Sequence, residues 1–406
     1  MSAITWNRST IEARHSHNHV TRGRRCNMHA IIFYPVNNGD SCQIILDNAK
    51  RILLDYRQHP NATDTNSPEI DLATTLRDSL KDTERDYFDV VAFTHADKDH
   101  IEGCTEFFEL IHAKKYQGSE RIKIDELWVP AAILLEVPER DEQSEEFAIL
   151  RREAWCRLKY DKGIKIFSKP DELLDQMKQK GINIEDRQHI FVDAGEFVET
   201  FTIDNDEVEF FCHAPFIKHA EGGVKEVRNQ AGLVFNIRFK AGENFCDVFA
   251  NGDPKWEVLE DIVEITQHNQ NDDRLRWDLF CIPHHCSYLS LSDEKGDKET
   301  LAKERVKELL LSGNKEGYMI CSSNPIPDKS AGYEQTQPPH IQARNCYEKH
   351  LKEIGGREFL VTMEEPSEEK PKPIEIEIDE KGHRIKKRLS ASAASFLTTT
   401  KPPRVG

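Results

Sequence analysis

At 406 residues, 38% hydrophobic and 31% charged, the chain can bury a substantial core, yet no apolar run approaches the ~20 residues that cross a bilayer. A formal net charge of −17 argues against a general, charge-driven nucleic-acid binder, although bound cations and a local basic rim can still capture phosphate at one site. The first residues lack the apolar core of a secretory signal, so a cytoplasmic location is expected. Ten scattered cysteines form no C-x-x-C pair, which argues against a zinc ribbon, and Cys212, Cys246 and Cys281 read as buried reduced thiols.

Residues 1–27 are basic and unpatterned and read as a flexible leader; the first strand signal follows Met28, a candidate start. His29–Tyr34, the turn Asn37-Asn38-Gly39-Asp40 and Cys42–Leu46 then predict strand, turn, strand. Arg51–Asp55 predicts another strand, ending in an acidic residue. A polar loop over Gln58–Pro68 leads to a helix over Asp71–Lys81 and a buried strand over Phe88–Phe93. A helix from Gly103 and a strand over Lys123–Val129 follow, then charged helical segments near 143–160 and 170–180, read as a long insertion over 136–190.

Strands are expected at Phe197–Ile203, Val208–Cys212, Leu233–Phe239, Asp247–Ala250, Asp278–Ile282 and Tyr318–Cys321, with helices at Lys255–Thr266, Glu299–Leu311 and Ile341–Ile354. Strands come first in pairs and then alternate with helices, twice over. That order predicts an α/β fold in which two packed sheets carry helices outside. The domain is expected to span 28–363. In the charged tail over 364–406, Ile374–Ile378 and His383–Leu389 can pair as a hairpin before a disordered Ser/Ala/Thr end.

The strongest chemical signal is Thr94-His95-Ala96-Asp97-Lys98-Asp99-His100, delivered by a buried strand. Four metal-capable side chains fall within six residues, just past the carboxyl end of that strand, where α/β sheets usually place their sites. Imidazole and carboxylate together suit zinc, manganese or iron. Polar loops are common, but two histidines at this spacing after so apolar a strand are not.

This run resembles the H-x-[H/D]-x-D-H motif of the metallo-β-lactamase fold, whose landmarks recur here in order. They are Gly39-Asp40-Ser41, the motif itself, His213 after a strand, Gly252-Asp253, and His284-His285 after Pro283. Together with Asn229-Gln230-Ala231-Gly232, Ser322-Ser323-Asn324 and the late His340, they are similar to the hydrolase domain of ComEC-type DNA-uptake proteins, over roughly residues 29–362. Cys286 stands where that subgroup usually has Gly, Pro339-His340 replaces its His-Pro pair, and its membrane channel is absent.

The resemblance implies a four-layer αββα sandwich and two divalent metal ions, zinc or manganese, sharing a hydroxide. It places His95, Asp97 and His213 around one ion, Asp99, His100 and one of His284 and His285 around the other, and Asp253 between them. Asp99 would orient the hydroxide and His340 protonate the leaving oxygen. Asp40 would orient a ligand, and Asn229 and Ser323 would serve substrate or turn. Carboxylate in place of one imidazole shifts preference from zinc toward manganese.

The implied activity is that of a phosphodiesterase or nuclease, with nucleic acid or a small phosphodiester as partner and no membrane. Lys98, Lys218, Lys225, Arg228 and Lys255 flank the motifs and could meet phosphate. The acidic charge and the lack of a basic, aromatic strip favour instead a small-molecule hydrolase acting on a cyclic nucleotide, phosphodiester, lactone or thioester. A non-catalytic interaction module is the third reading. His112 and His219 read as surface residues.

Overall fold

The computed structural model describes residues 28–64, 66–136, 145–216, 230–328 and 330–386. Its strands run β1 (Met28–Phe33), β2 (Cys42–Ile45), β3 (Arg51–Leu54), β4 (Tyr87–Ala92), β5 (Lys123–Pro130), β6 (Ile164–Phe167) and β7 (Phe191–Val192). They continue with β8 (Val208–Ala214), β9 (Val234–Ala241), β10 (Asn244–Asn251), β11 (Trp277–Ile282), β12 (Gly313–Cys321), β13 (Phe359–Val361), β14 (Ile374–Asp379) and β15 (Gly382–Ile385).

Two sheets result, of order β15-β14-β1-β2-β3-β4-β5-β6-β7 and β13-β12-β11-β10-β9-β8. Each repeats one scheme. In the first, β1, β2 and β3 pair antiparallel and β3 through β7 run parallel. In the second, β8, β9 and β10 pair antiparallel and β10 through β13 run parallel. The pairs-then-alternation pattern of the sequence is this scheme.

Both faces of each sheet are covered, so the strands read as near-continuous apolar runs. In β4, Val90 and Ala92 face the layer between the sheets while Phe88 and Val91 face the helices outside. Trp128 lies in the middle layer with Phe167, Phe201, Phe210 and Phe235, ring centroids 5.1 to 6.0 Å away. Helices Leu72–Lys81 and Glu145–Tyr160 cover the first sheet, and Trp256–His268, Glu304–Leu311 and Ile341–Glu353 cover the second. The expected αββα sandwich is therefore the observed one.

Several elements differ from expectation. Phe197–Ile203 is no strand; Phe197 makes an isolated bridge to Phe211 and a helical turn begins at Ile203. The segment over 136–190 supplies a crossover helix and the strand β6, so much of it is regular sheet architecture. The hairpin β14–β15 pairs through β14 with β1, so the first sheet reaches past residue 363. In β14, Ile374, Ile376 and Ile378 point into the middle layer and alternate with Glu375, Glu377 and Asp379. Residues 1–27 and the tail after 386 lie outside the described residues. Among the described residues no helix is long and apolar enough to cross a membrane.

Candidate metal centre

The parallel strands of both sheets end at a common rim, and the motif residues gather there. Asp55 follows β3, Thr94 and His95 follow β4, Asp253 follows β10, His284 and His285 follow β11, and Ser322 follows β12. After His95 the chain makes a one-turn helix, Lys98–Ile101, which folds Asp99 and His100 back over the rim. Gly103, at φ +82°, then turns the chain away. Gly252 is dictated by space: a Cβ there would stand 2.7 Å from Thr94 Oγ1 and 2.9 Å from Thr94 Cβ.

Three imidazoles are tied down through Nδ1 and face one another through Nε2. His100 Nδ1 lies 2.8 Å from Asp55 Oδ2. The Thr94 hydroxyl donates to Asp55 Oδ2 at 2.6 Å, so its oxygen is left to accept from His95 Nδ1 at 3.1 Å. His285 Nδ1 donates to the Ser322 carbonyl at 2.8 Å. In each ring the anchored nitrogen carries the proton and Nε2 is left as the ligand, the arrangement in which outer partners fix metal-binding histidines.

Asp253 occupies the middle. Its Oδ1 is 3.4 Å from His100 Nε2, and its Oδ2 is 3.5 Å from His285 Nε2 and 3.8 Å from His95 Nε2. Asp97 Oδ2 lies 3.7 Å from His95 Nε2, and Asp99 Oδ2 lies 3.1 Å from His285 Nε2. The donors of Asp99, His100, Asp253 and His285 all fall within 4.8 Å of one another. His95 Nε2, His100 Nε2 and Asp253 Oδ1 are buried without a hydrogen-bond partner. Buried polar atoms rarely stay unpaired, and orphans converging on one point fit a cation.

The charge balance points the same way. Asp40, Asp55, Asp97, Asp99 and Asp253 crowd the histidines, and burial pushes the Asp40 carboxyl up to about 6. Burial alone would lower His285, but Asp253 and Asp99 outweigh it and hold its imidazole at about 10. Burial would likewise raise Asp253, yet His285 and His100 hold it well below the usual carboxylate range. Positive charge is thus in demand at the centre, and a cation taking up the Nε2 lone pairs displaces protons from them.

The structure separates the two adjacent histidines. His284, His285 and Cys286 all adopt left-handed backbone, at φ +49°, +51° and +65°. This run swings His285 into the cluster and leaves His284 beside it, its Nδ1 buried without a partner. Positive φ at Cys286 also gives a reason for a glycine at that place.

His213 is not brought to the cluster. Along β8, Val208, Phe210 and Cys212 face the middle layer, so strand alternation puts His213 on the outer face of the second sheet with Phe211. There Nδ1 meets Thr266 Oγ1 at 3.2 Å and Nε2 meets the Arg274 carbonyl at 3.0 Å, between Phe211 and Phe249. Both nitrogens are engaged, and burial lowers its imidazole to about 4.

His340 is buried at the start of the helix Ile341–Glu353. The Tyr288 N–H donates to its Nδ1 at 3.4 Å, which puts the ring proton on Nε2, an atom without a partner. Ser323 is buried too, but its hydroxyl donates to the Asn324 carbonyl at 2.9 Å and serves the turn. Asp40 Oδ2 stands 3.9 Å from His100 Nδ1, behind the ring. Asn229, His219, Lys218, Lys225 and Arg228 lie outside the described residues. His112 is nearly buried, with Nδ1 2.9 Å from Glu153 Oε2. Sequence reasoning missed Asp55 and Thr94 as anchors, although an aspartate closing an apolar strand was the available signal.

No protein-family model matches the chain, and no curated protein matches it. Among solved structures it is similar to a diphosphatase of the PhnP family, at 11% identity and a TM-score of 0.32, over 77% of this chain and 95% of that one. It is also similar to a long form RNase Z from yeast, at 11% identity and 0.37, over 86% of this chain and 42% of that one. A third is the metallo-beta-lactamase GOB-18 from Elizabethkingia meningoseptica, at 10% identity and 0.27, over 84% and 96%. The αββα assignment stands on layer order and sheet topology.

Proposed function

We propose that the chain is a metal-dependent hydrolase of the metallo-β-lactamase type, acting on phosphodiesters, with polynucleotides first among them. One observation carries the reading: three imidazoles anchored at Nδ1 direct Nε2 toward Asp253, with orphaned buried donors at the meeting point. His95 and Asp97 would hold one divalent ion, Asp99, His100 and His285 a second, and Asp253 both. Zinc or manganese held there would supply Lewis acidity and bring the ionisation of a water near neutral pH.

The chain's own groups do the rest. Asp97 and Asp99 keep a third of their side chains exposed, so the centre opens to solvent on their side. Asp99, steadied by His285, is placed to accept a proton from an attacking water and to aim it. Asp55, Thr94 and Ser322 fix the rings, so little reorganisation is needed during reaction. His340 would donate its Nε2 proton in a hydrogen bond to a phosphoryl or leaving oxygen.

The polynucleotide substrate rests on the motif resemblance. A small phosphodiester is the second reading, favoured by the rim: Lys98, 3.1 Å from Glu102, is already paired. Wild type and Asp99→Ala, each with manganese or zinc, should be incubated with single- and double-stranded DNA, RNA, bis-p-nitrophenyl phosphate and a lactone panel. Polymer cleavage by wild type alone supports the nuclease. Cleavage of only bis-p-nitrophenyl phosphate supports the small-substrate reading, and lactone turnover alone contradicts a phosphodiesterase.

A further inference from the structure

Cys246, Asp278 and His383 form another group of metal-capable donors, which the proposed reaction does not use. Cys246 lies near the start of β10, Asp278 near the start of β11, and His383 on β15, the terminal strand of the other sheet. Their sulfur, oxygen and nitrogen donors lie within 4.8 Å of one another. Asp253 follows the opposite end of β10, so roughly 20 Å of extended chain separates this group from the rim.

Each donor is there for a local reason. His383 opposes Ile378 across the hairpin, and Ile378 faces the middle layer. An imidazole thus occupies a face otherwise given to Ile374, Ile376 and Ile378, where a polar ring needs a partner. His383 Nε2 lies 3.2 Å from the Glu316 carbonyl, an acceptor only, so Nε2 carries the proton and Nδ1 the lone pair. The register of β11 breaks between Trp277 and Leu279, at Asp278. The Asp247 N–H, at 2.8 Å, and Asn314 Nδ2, at 3.1 Å, hold that carboxylate. Cys246 is 2% exposed. Among the described residues no hydrogen bond joins the three donors to one another.

We propose that Cys246, Asp278 and His383 bind a zinc ion that fastens the β14–β15 hairpin to the second sheet. One thiolate, one imidazole and one carboxylate make three of the four positions of tetrahedral zinc, and solvent takes the fourth. The thiol gives its proton to solvent on binding. Thiolate selects zinc over manganese or magnesium, so this site differs in metal preference from the histidine–aspartate centre at the rim. His383 is half-buried, which leaves the ion a route from solvent. The inference does not depend on the proposed reaction.

Cobalt(II) titration of the metal-free full chain tests it, because the rim donors include no cysteine. A near-ultraviolet thiolate-to-cobalt charge-transfer band therefore reports on this site. The band is expected to saturate by three equivalents of cobalt, two of them taken by the rim centre, and to vanish on adding excess zinc. Cys246→Ser should lose the band and one equivalent of bound zinc by elemental analysis. His383→Gln, at a partly exposed edge position, should weaken cobalt binding by about tenfold or more while its metal-free melting temperature stays at the wild-type value. Absence of the band in wild type, its persistence in Cys246→Ser, or unchanged affinity in His383→Gln would each overturn the proposal.

Discussion

Asp55 Oδ2 lies 2.8 Å from His100 Nδ1 and also accepts the Thr94 hydroxyl at 2.6 Å, so one carboxylate sets the orientation of two imidazoles. His100 is held directly, and His95 through Thr94. Asp55 itself sits at φ +55°, a backbone region that asparagine tolerates. Asp55→Asn should therefore fold while losing the charge that holds His100. Metal affinity is expected to fall about 10- to 100-fold, measured by competition with a chelating dye. Wild-type affinity in this variant would contradict the anchoring role.

Gly252 tests the same rim from the other sheet. In Gly252→Ala the new methyl meets Thr94 at 2.7 and 2.9 Å, so Thr94 must move and take the His95 ring with it. A stability loss of about 1–3 kcal/mol is expected in urea unfolding, together with reduced metal content. Full metal content would show that the rim yields more easily than this packing allows.

His213 gives a pH signature. Burial depresses its imidazole to about 4 in the folded chain, against about 6.5 when unfolded. Above pH 6.5 the ring is neutral in both states. As pH falls from 6.5 toward 4 the unfolded state takes up the proton first, so stability is lost across that window, by about 3 kcal/mol at most. His213→Gln should flatten this part of the stability curve and leave metal content unchanged. Loss of a metal equivalent in this variant would instead return His213 to the centre.

The terminal hairpin is expected to behave as core. Ile376 is fully buried between the sheets and pairs with Ile31 of β1. Ile376→Ala should cost about 2–5 kcal/mol by denaturant unfolding. A change near zero would mark the hairpin as an appendage.

The scheme of paired and then alternating strands was legible because strands buried on both faces write long apolar runs, and a site at their carboxyl ends follows from that topology. His95, Asp99, His100 and Asp253 were legible for the same reason, each lying just past such a run. His213 ends a similar run but still lies within β8, where alternation with Cys212, which faces the middle layer, sends it to the outer face beside Phe211. The choice of His285 over His284 depends on three successive left-handed residues, none of them glycine. The pairing of β14 with β1 joins Ile376 to Ile31 across most of the chain, beyond the reach of local periodicity. Asp55 was visible only as the acid that ends a strand, and its role appears once β3 and β4 lie side by side.

Anomalous diffraction from crystals grown with manganese or zinc tests the central claim most directly. Two peaks are expected on either side of the Asp253 carboxylate, one bounded by His95 and Asp97 and the other by Asp99, His100 and His285. No peak within coordinating distance of Asp253 in metal-loaded, folded protein would contradict the account.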